Sequence, residues 1–257
     1  MKKGQRRWTR EESILAINLY CKLPFGRLHQ SNPEVIALAE LIGRTPGSVA
    51  FKLVNFASLD PSLQARGIKG AGNTSKLDKA IWEEFYDNWE ELAFESELLL
   101  AEKKHQTIEQ THHIHPDELP EGISRERWVK TRVNQTFFRQ SILASYNYKC
   151  CITGIAIPEL LVAGHIKPWS IDRKNRMNPG NGIAINGLHD KAFERGLISI
   201  STNHRILISG QLKNSRDESG AIDRFFLRYE NREIFMPSRF LPETEFLRYH
   251  NEEVFVG

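Results

Sequence analysis

The stretch from Glu159 to Gly196 constrains the fold more than any other part of the chain. It holds two short apolar runs, "ELLVAGHI" and "NGIAI", followed by "GLHDKAFERG". Short apolar runs bounded by Gly, Pro and Asn read as strands, and the third segment has helical spacing. The first run ends at His165, the second is led by Asn181, and the helix carries His189 and Asp190. Strand, strand, helix is the order that brings these distant side chains together. An imidazole with its ordinary pKa of about 6.5 accepts a proton at neutral pH, so His165 suits activation of water for attack on a phosphodiester. That ester is inert because its charge repels nucleophiles. A divalent cation answers the difficulty by neutralising developing charge and stabilising the leaving oxygen.

Charge along the chain is segmented in a way that fits such a substrate. Residues 1–76 hold twelve Lys and Arg against five Asp and Glu, and residues 123–180 hold ten against three. Between them, residues 77–122 hold three against thirteen. Basic blocks of this size suit a polyanion such as nucleic acid, although a solvated surface would have the same composition. With 257 residues the chain has room for two modest domains, each burying its own core. No apolar run is long enough to span a membrane, so a soluble protein is expected. The leader "MKKGQRRW" lacks the apolar core of a secretory signal. Cys21, Cys150 and Cys151 are too few and too poorly spaced for a disulfide framework, which points to the reducing cytoplasm.

In the first basic block, Thr9 can cap a helix whose first turn holds Glu11 and Glu12. Pro33 suits a first helical position, Gly43 a turn, and Thr45-Pro46 a second helix start. Two short helices joined by a Gly-containing turn make a helix-turn-helix. In the second helix Val49, Leu53 and Phe56 share the inward face, while Ser48, Lys52 and Asn55 share a polar face expected to reach base edges or phosphates. From Leu77 to Glu102 the pattern is helical and acidic, with Ile81, Phe85, Trp89 and Leu92 closing the first core. Residues 103–125 have the polarity and prolines of a linker, in which His112, His113 and His115 are expected to be exposed. The helix that follows turns Val133, Phe137, Ile142 and Leu143 inward and sets out Lys130, Arg132 and Arg139 as a basic ridge, a phosphate contact or a solvated face. The tail is expected as a polar loop after Gly210, short strands around "FFLRYENREIFM" and a helix after Pro242 carrying a structural His250.

Two resemblances sharpen this reading. "WTREE" and "IGRTPGSV" resemble Myb-like helix-turn-helix domains over about 50 residues, with a longer first connection, "CKLPFGRLHQSNPE". "GHIKPW", the Asn181-Gly182 pair before an apolar strand, and "LHDKAFERGLI" resemble the HNH endonuclease module, more narrowly its restriction-endonuclease branch, over residues 126–210. The resemblance implies a ββα-metal fold. It makes His165 the general base and Asn181 the residue that orients it and touches the metal. It puts His189 at the metal-ligand position, with Asp190 a rival or additional ligand. Lys167 falls where a phosphate contact is expected, and Arg195 is open between phosphate, Glu194 and the helix end. The sequence departs from the pattern at Gly164, where many HNH enzymes carry an acidic ligand, and in lacking paired CxxC motifs. No structural zinc is expected, and Cys150 and Cys151 read as small buried residues.

The expected architecture is α+β: a helical, helix-turn-helix-like DNA-recognition domain over 1–102, a linker over 103–125 and an HNH nuclease domain with a C-terminal extension over 126–257. The expected activity is metal-dependent hydrolysis of double-stranded DNA by a homodimer in restriction or phage defence, with Mg2+ first among divalent ions and Mn2+ or another transition metal as alternatives. The competing reading is a non-catalytic DNA-binding or regulatory protein on a nuclease-like scaffold. A nuclease acting on RNA is a third reading, disfavoured by the lack of an evident aromatic stacking platform.

Overall fold

A computed structural model describes residues 6–68, 74–86, 88–115, 119–215 and 217–257. The basic leader 1–5 and residues 116–118 of the expected linker lie outside the described residues. The fold is α+β, with a helical N-terminal region and small two-stranded sheets in the C-terminal part. It divides into two compact units, 1–141 and 142–257.

The first unit is built around α1 (Arg10–Lys22), which packs against α2 (Pro33–Leu41), α3 (Pro46–Leu59), α5 (Lys76–Tyr86) and α6 (Trp89–Lys103). Its start is fixed by a reciprocal cap. Thr9 Oγ1 accepts from Glu12 N at 3.2 Å and Glu12 Oε2 accepts from Thr9 N at 3.1 Å. Asn32 and Thr45 cap α2 and α3, each with proline just inside, and Gly43 makes the turn between them at φ +63°. Val49, Leu53 and Phe56 of α3 are fully buried, as are Ile14 of α1 and Leu92 of α6. A short α4 (Pro61–Ala65) follows, capped by Asp60, whose other carboxylate oxygen accepts from buried Tyr20 at 2.8 Å.

Two expectations about this unit are corrected. Lys52 and Asn55 do not form an outward face: both are buried, and both bind Asp78, which is itself fully buried at the start of α5. Asp78 also exchanges bonds with Ser75, accepting from its backbone N at 3.2 Å and donating to its Oγ at 3.1 Å, so the pair is part of the α5 helix start. Nor are all the linker histidines exposed. The linker contains α7 (Ile108–His112), and the His112 ring is buried with Nε2 3.1 Å from Glu97 Oε2. Burial would raise the Glu97 carboxyl, but Lys22, His112 and Asn18 together hold it at about 2.

The division between the two compact units falls inside α8 (Arg125–Ser145). Val133, Phe137, Ile142 and Leu143 are buried as expected. On the ridge, Lys130 lies 3.6 Å from Glu90 and 3.3 Å from Glu91, so its charge is largely met within the unit. Arg132 is exposed and stacks on the Trp128 ring at 4.3 Å, and Arg139 is half-buried.

In the second unit, β1 (Leu161–His165) pairs antiparallel with β2 (Gly182–Asn186), and α9 (Gly187–Glu194) packs on both. Cys150 and Cys151 are fully buried at the base of this hairpin, where Cys151 N donates to Ala184 O at 2.7 Å. A second antiparallel pair, β3 (Ile198–Ile200) and β4 (Ile206–Ile208), follows. The strands expected around "FFLRYENREIFM" are absent among the described residues. This segment forms α11 (Ala221–Phe225) and a 3-10 turn, after a short α10 (Gly210–Lys213) where a loop was expected, and then bridges back at Glu233 to Arg205, with Asn231, Arg232 and Ile234 bonded to the backbone of His204 and Ile206. The helix after Pro242 is α12 (Thr244–Tyr249), continued by a π-turn to Val254. The C-terminus returns to α9 at Gly196, where φ is +68° and a Cβ would lie 2.0 Å from Val254 O. No described helix is long and apolar enough to cross a membrane.

Candidate active site

Register places the ends of the two strands together. His165 pairs with Gly182, so Asn181 directly precedes the residue opposite it. The loop between the strands then folds back over the histidine: His165 Nε2 lies 2.8 Å from Arg176 O, and the Trp169 ring meets the imidazole edge-on at 5.2 Å. Arg176 is held in turn, with Nε donating to Trp169 O at 2.7 Å and its guanidinium 4.9 Å from the Trp169 ring centroid. A carbonyl can only accept, so Nε2 carries the proton of the neutral ring and Nδ1 is the basic atom. Burial lowers the His165 pKa, opposed in part by the bond to Arg176 O. The ring is therefore unprotonated at neutral pH, as a general base must be.

Asn181 is almost fully buried and its side chain is committed to backbone. Oδ1 accepts from Lys167 N at 2.7 Å, and Nδ2 donates to Lys167 O at 3.2 Å and Asn175 O at 3.3 Å. Its own carbonyl accepts from Ile166 N at 3.0 Å. Asn181 thus clamps the chain immediately after His165.

His189 is placed differently from expectation. Asn186 caps α9, its Oδ1 accepting from His189 N at 3.1 Å, and its Nδ2 lies 2.7 Å from His189 Nδ1. Both amide atoms approach Nδ1, but His189 Nε2 sits 2.7 Å from Phe225 O and must hold the proton, so Nδ1 accepts from Nδ2. Phe226 and Tyr229 close over the ring at 5.2 and 5.7 Å. With both nitrogens engaged, His189 offers a cation no lone pair in this conformation. Its pKa is lowered by burial.

Asp190 faces β1 instead. A Cβ built on Gly164 would lie 2.7 Å from Asp190 Oδ1, so the carboxylate stands over the residue next to His165. Burial, then Glu194, raises its pKa. No group of three or more His, Cys, Asp and Glu stands together among the described residues. Magnesium is commonly held by one or two carboxylates plus water and phosphate oxygens, so the Asp190 carboxylate is a donor of the type that fits it. Lys167 Nζ lies 3.1 Å from Asp172 and 4.9 Å from the Tyr249 ring centroid, which leaves it a quarter exposed. Glu194 pairs with Lys191 rather than Arg195.

Sequence reasoning missed Arg176 and Phe225, which act through backbone carbonyls and leave no side-chain signature. It also missed Asn186, although an Asn just before a helix start is a visible capping signal.

Residues 150–201 match the family model described as HNH endonuclease. The match spans β1, β2 and α9 and includes His165, Asn181, His189 and Asp190. The match supports a nuclease module in this segment, and modules of that type act on DNA and generally use a divalent metal ion. No curated protein matches the chain.

Proposed function

We propose that the chain is a metal-dependent DNA endonuclease of restriction or phage defence, working as a homodimer in the cytoplasm with His165 as general base. The observation that carries this reading is the His165 geometry: Nε2 held by Arg176 O and therefore protonated, which makes Nδ1 the basic atom, and a pKa depressed by burial. In the reaction Nδ1 takes a proton from water as its oxygen attacks phosphorus. The bond to the 3′ oxygen breaks and that oxygen takes a proton from solvent, leaving a 5′-phosphate and a 3′-hydroxyl. Asn181, Arg176 and Trp169 keep the imidazole aimed, so little reorganisation is needed as charge develops. Asp190, next to His189 in the α9 turn, would hold the cation, which when bound would stabilise charge on the phosphate and the leaving oxygen.

Target selection is assigned to residues 1–102, with 103–125 connecting them to a nuclease domain from 126 onward. Among the expected contacts, Ser48, Arg132, Arg139 and Lys167 keep enough exposure to reach DNA. Lys52 and Asn55 do not, and Lys130 would first have to leave its carboxylates.

Incubating the protein with supercoiled plasmid and Mg2+ or Mn2+ tests the reading. His165→Ala should lower the cleavage rate about 10²–10⁴-fold with DNA affinity unchanged, the usual contribution of a positioned base. Cleavage at the wild-type rate by this variant, or no cleavage of any modified or unmodified duplex by the parent, would refute it and favour a non-catalytic DNA-binding protein.

A further inference from the structure

The loop between β1 and β2 is gripped twice across the same two residues. Asn181 holds Lys167 N, Lys167 O and Asn175 O, all on the backbone. The Asp172 carboxylate holds the same pair by other atoms: Oδ1 accepts from Asn175 N at 3.2 Å, and Oδ2 accepts from Asn175 Nδ2 at 2.9 Å and lies 3.1 Å from Lys167 Nζ. Asn175 is thereby pinned at both of its backbone groups, N by Asp172 and O by Asn181. The next residue is Arg176, whose carbonyl sits 2.8 Å from His165 Nε2. The Asp172 side chain is only 14% exposed. Burial would raise its pKa, but the bonds from Asn175 and Lys167 hold it below the ordinary carboxylate range. Bonds to an ionised oxygen are stronger than neutral ones, so a carboxylate that spends both oxygens on one loop fixes that loop.

We infer that Asp172 is a positioning residue for the cleavage reaction: its carboxylate sets the Arg176 carbonyl that aims His165, and at the same time holds Lys167 against the loop. The inference rests on the nuclease reading for its purpose, but the aim of the imidazole is measured without DNA. The effect of Asp172 passes through Asn175 and Arg176. Holding Lys167 has a second consequence. While Nζ lies beside Asp172 its charge is partly met within the loop, so removing the carboxylate releases a cation towards phosphate. Loss of Asp172 therefore weakens the chemical step without weakening the hold on DNA, a combination that a merely structural side chain does not produce.

The test uses the full-length protein with Asp172→Ala and Asp172→Asn. In the DNA-free parent the proton on His165 Nε2 should give a slowly exchanging imidazole resonance, assigned by its loss in His165→Ala. In Asp172→Ala that resonance should broaden or vanish. On plasmid with Mg2+, the single-turnover rate at saturating protein should fall on the order of 10²-fold, the effect of about an ångström of misplacement. The protein concentration giving half that rate should stay at or below the parent's. Asp172→Asn keeps an acceptor for Asn175 N but loses the charge beside Lys167, so it should keep the resonance and lose about tenfold in rate, roughly one charge-assisted bond. This variant decides the matter if the alanine variant does not fold. A parental rate in Asp172→Asn, a parental resonance in folded Asp172→Ala, no such resonance in the parent, or a rate and half-saturation that worsen together with the folded fraction would each overturn the inference and leave the nuclease reading intact. Unimpaired cleavage by His165→Ala would overturn the nuclease reading, and the resonance would still report whether Asp172 aims the ring.

Discussion

His250 shows how one buried ring sets the acid limit of a domain. It stacks on Phe193 at 3.7 Å, with Nδ1 2.7 Å from Ser199 Oγ and Nε2 3.1 Å from Phe193 O, and burial pushes its pKa down to about 4 despite that last bond. The unfolded chain, with His near its ordinary value of 6.5, binds the proton earlier than the native state does. Stability present above pH 6.5 is therefore lost as pH falls towards 4, by on the order of 3 kcal/mol from this residue. His250→Phe keeps a ring over Phe193 but does not titrate. Urea unfolding at pH 7.5 and pH 4.5 should show a smaller drop for the variant than for the parent, and equal drops would remove His250 from the account. Glu97, held at about 2, contributes in the other window: its share is present above about 4.5 and disappears only as pH falls to 2. A structural role for His250 was legible because the sequence places it on a terminal helix. The identity of its partners was not, since Phe193 and Ser199 lie more than fifty residues away.

At the scale of elements, α3 shows where periodicity informs and where it misleads. Val49, Leu53 and Phe56 recur at helical spacing and are buried, so the inward face was readable. Lys52 and Asn55 were assigned to solvent because polar residues usually are. Their true partner, Asp78, begins another helix, and nothing in the local sequence announces that pairing. The consequence is testable. Lys52→Met leaves a fully buried carboxylate without its cation and should cost about 3–5 kcal/mol in denaturant unfolding, the penalty for breaking a buried pair from one side. Burial lowers the Lys52 pKa, and the bond to Asp78 opposes that shift. Adding Asp78→Leu to Lys52→Met should recover much of the loss. Weakened DNA binding with unchanged stability in the single variant would instead restore Lys52 to the DNA-facing surface. The same limit explains the tail. "FFLRYENREIFM" has the aromatic and β-branched content of strands, yet Phe225 and Leu227 enter short helical turns whose carbonyl reaches His189. A long-range bond of this kind outweighs local propensity.

For the whole molecule, the proposed cutting of both strands of a duplex favours an assembly. The two strands run antiparallel, and the chain has one His165, so on the proposed reading two cuts at one site are most simply made by two copies related by a twofold axis. The basic segment 123–180 was read as one block, but it is shared between units: Arg125 to Arg139 fall in the first, and Lys149 to Arg176 in the second with the catalytic loop. Charge segmentation was thus legible as an affinity for polyanions but not as a surface, because a helix crosses the boundary. The order of the β1, β2 and α9 motifs was legible because all three are local. If two copies cut one duplex, linear plasmid should appear without a long-lived nicked intermediate once protein exceeds its self-association constant. Below that concentration nicked circles should accumulate, and the rate of linearisation should rise roughly with the square of protein concentration. Sedimentation over the same range should show the monomer giving way to the dimer. Linearisation proportional to the first power of concentration, with a monomer throughout, would mean that one copy reverses on the DNA to cut the second strand, and the twofold arrangement would have to be abandoned.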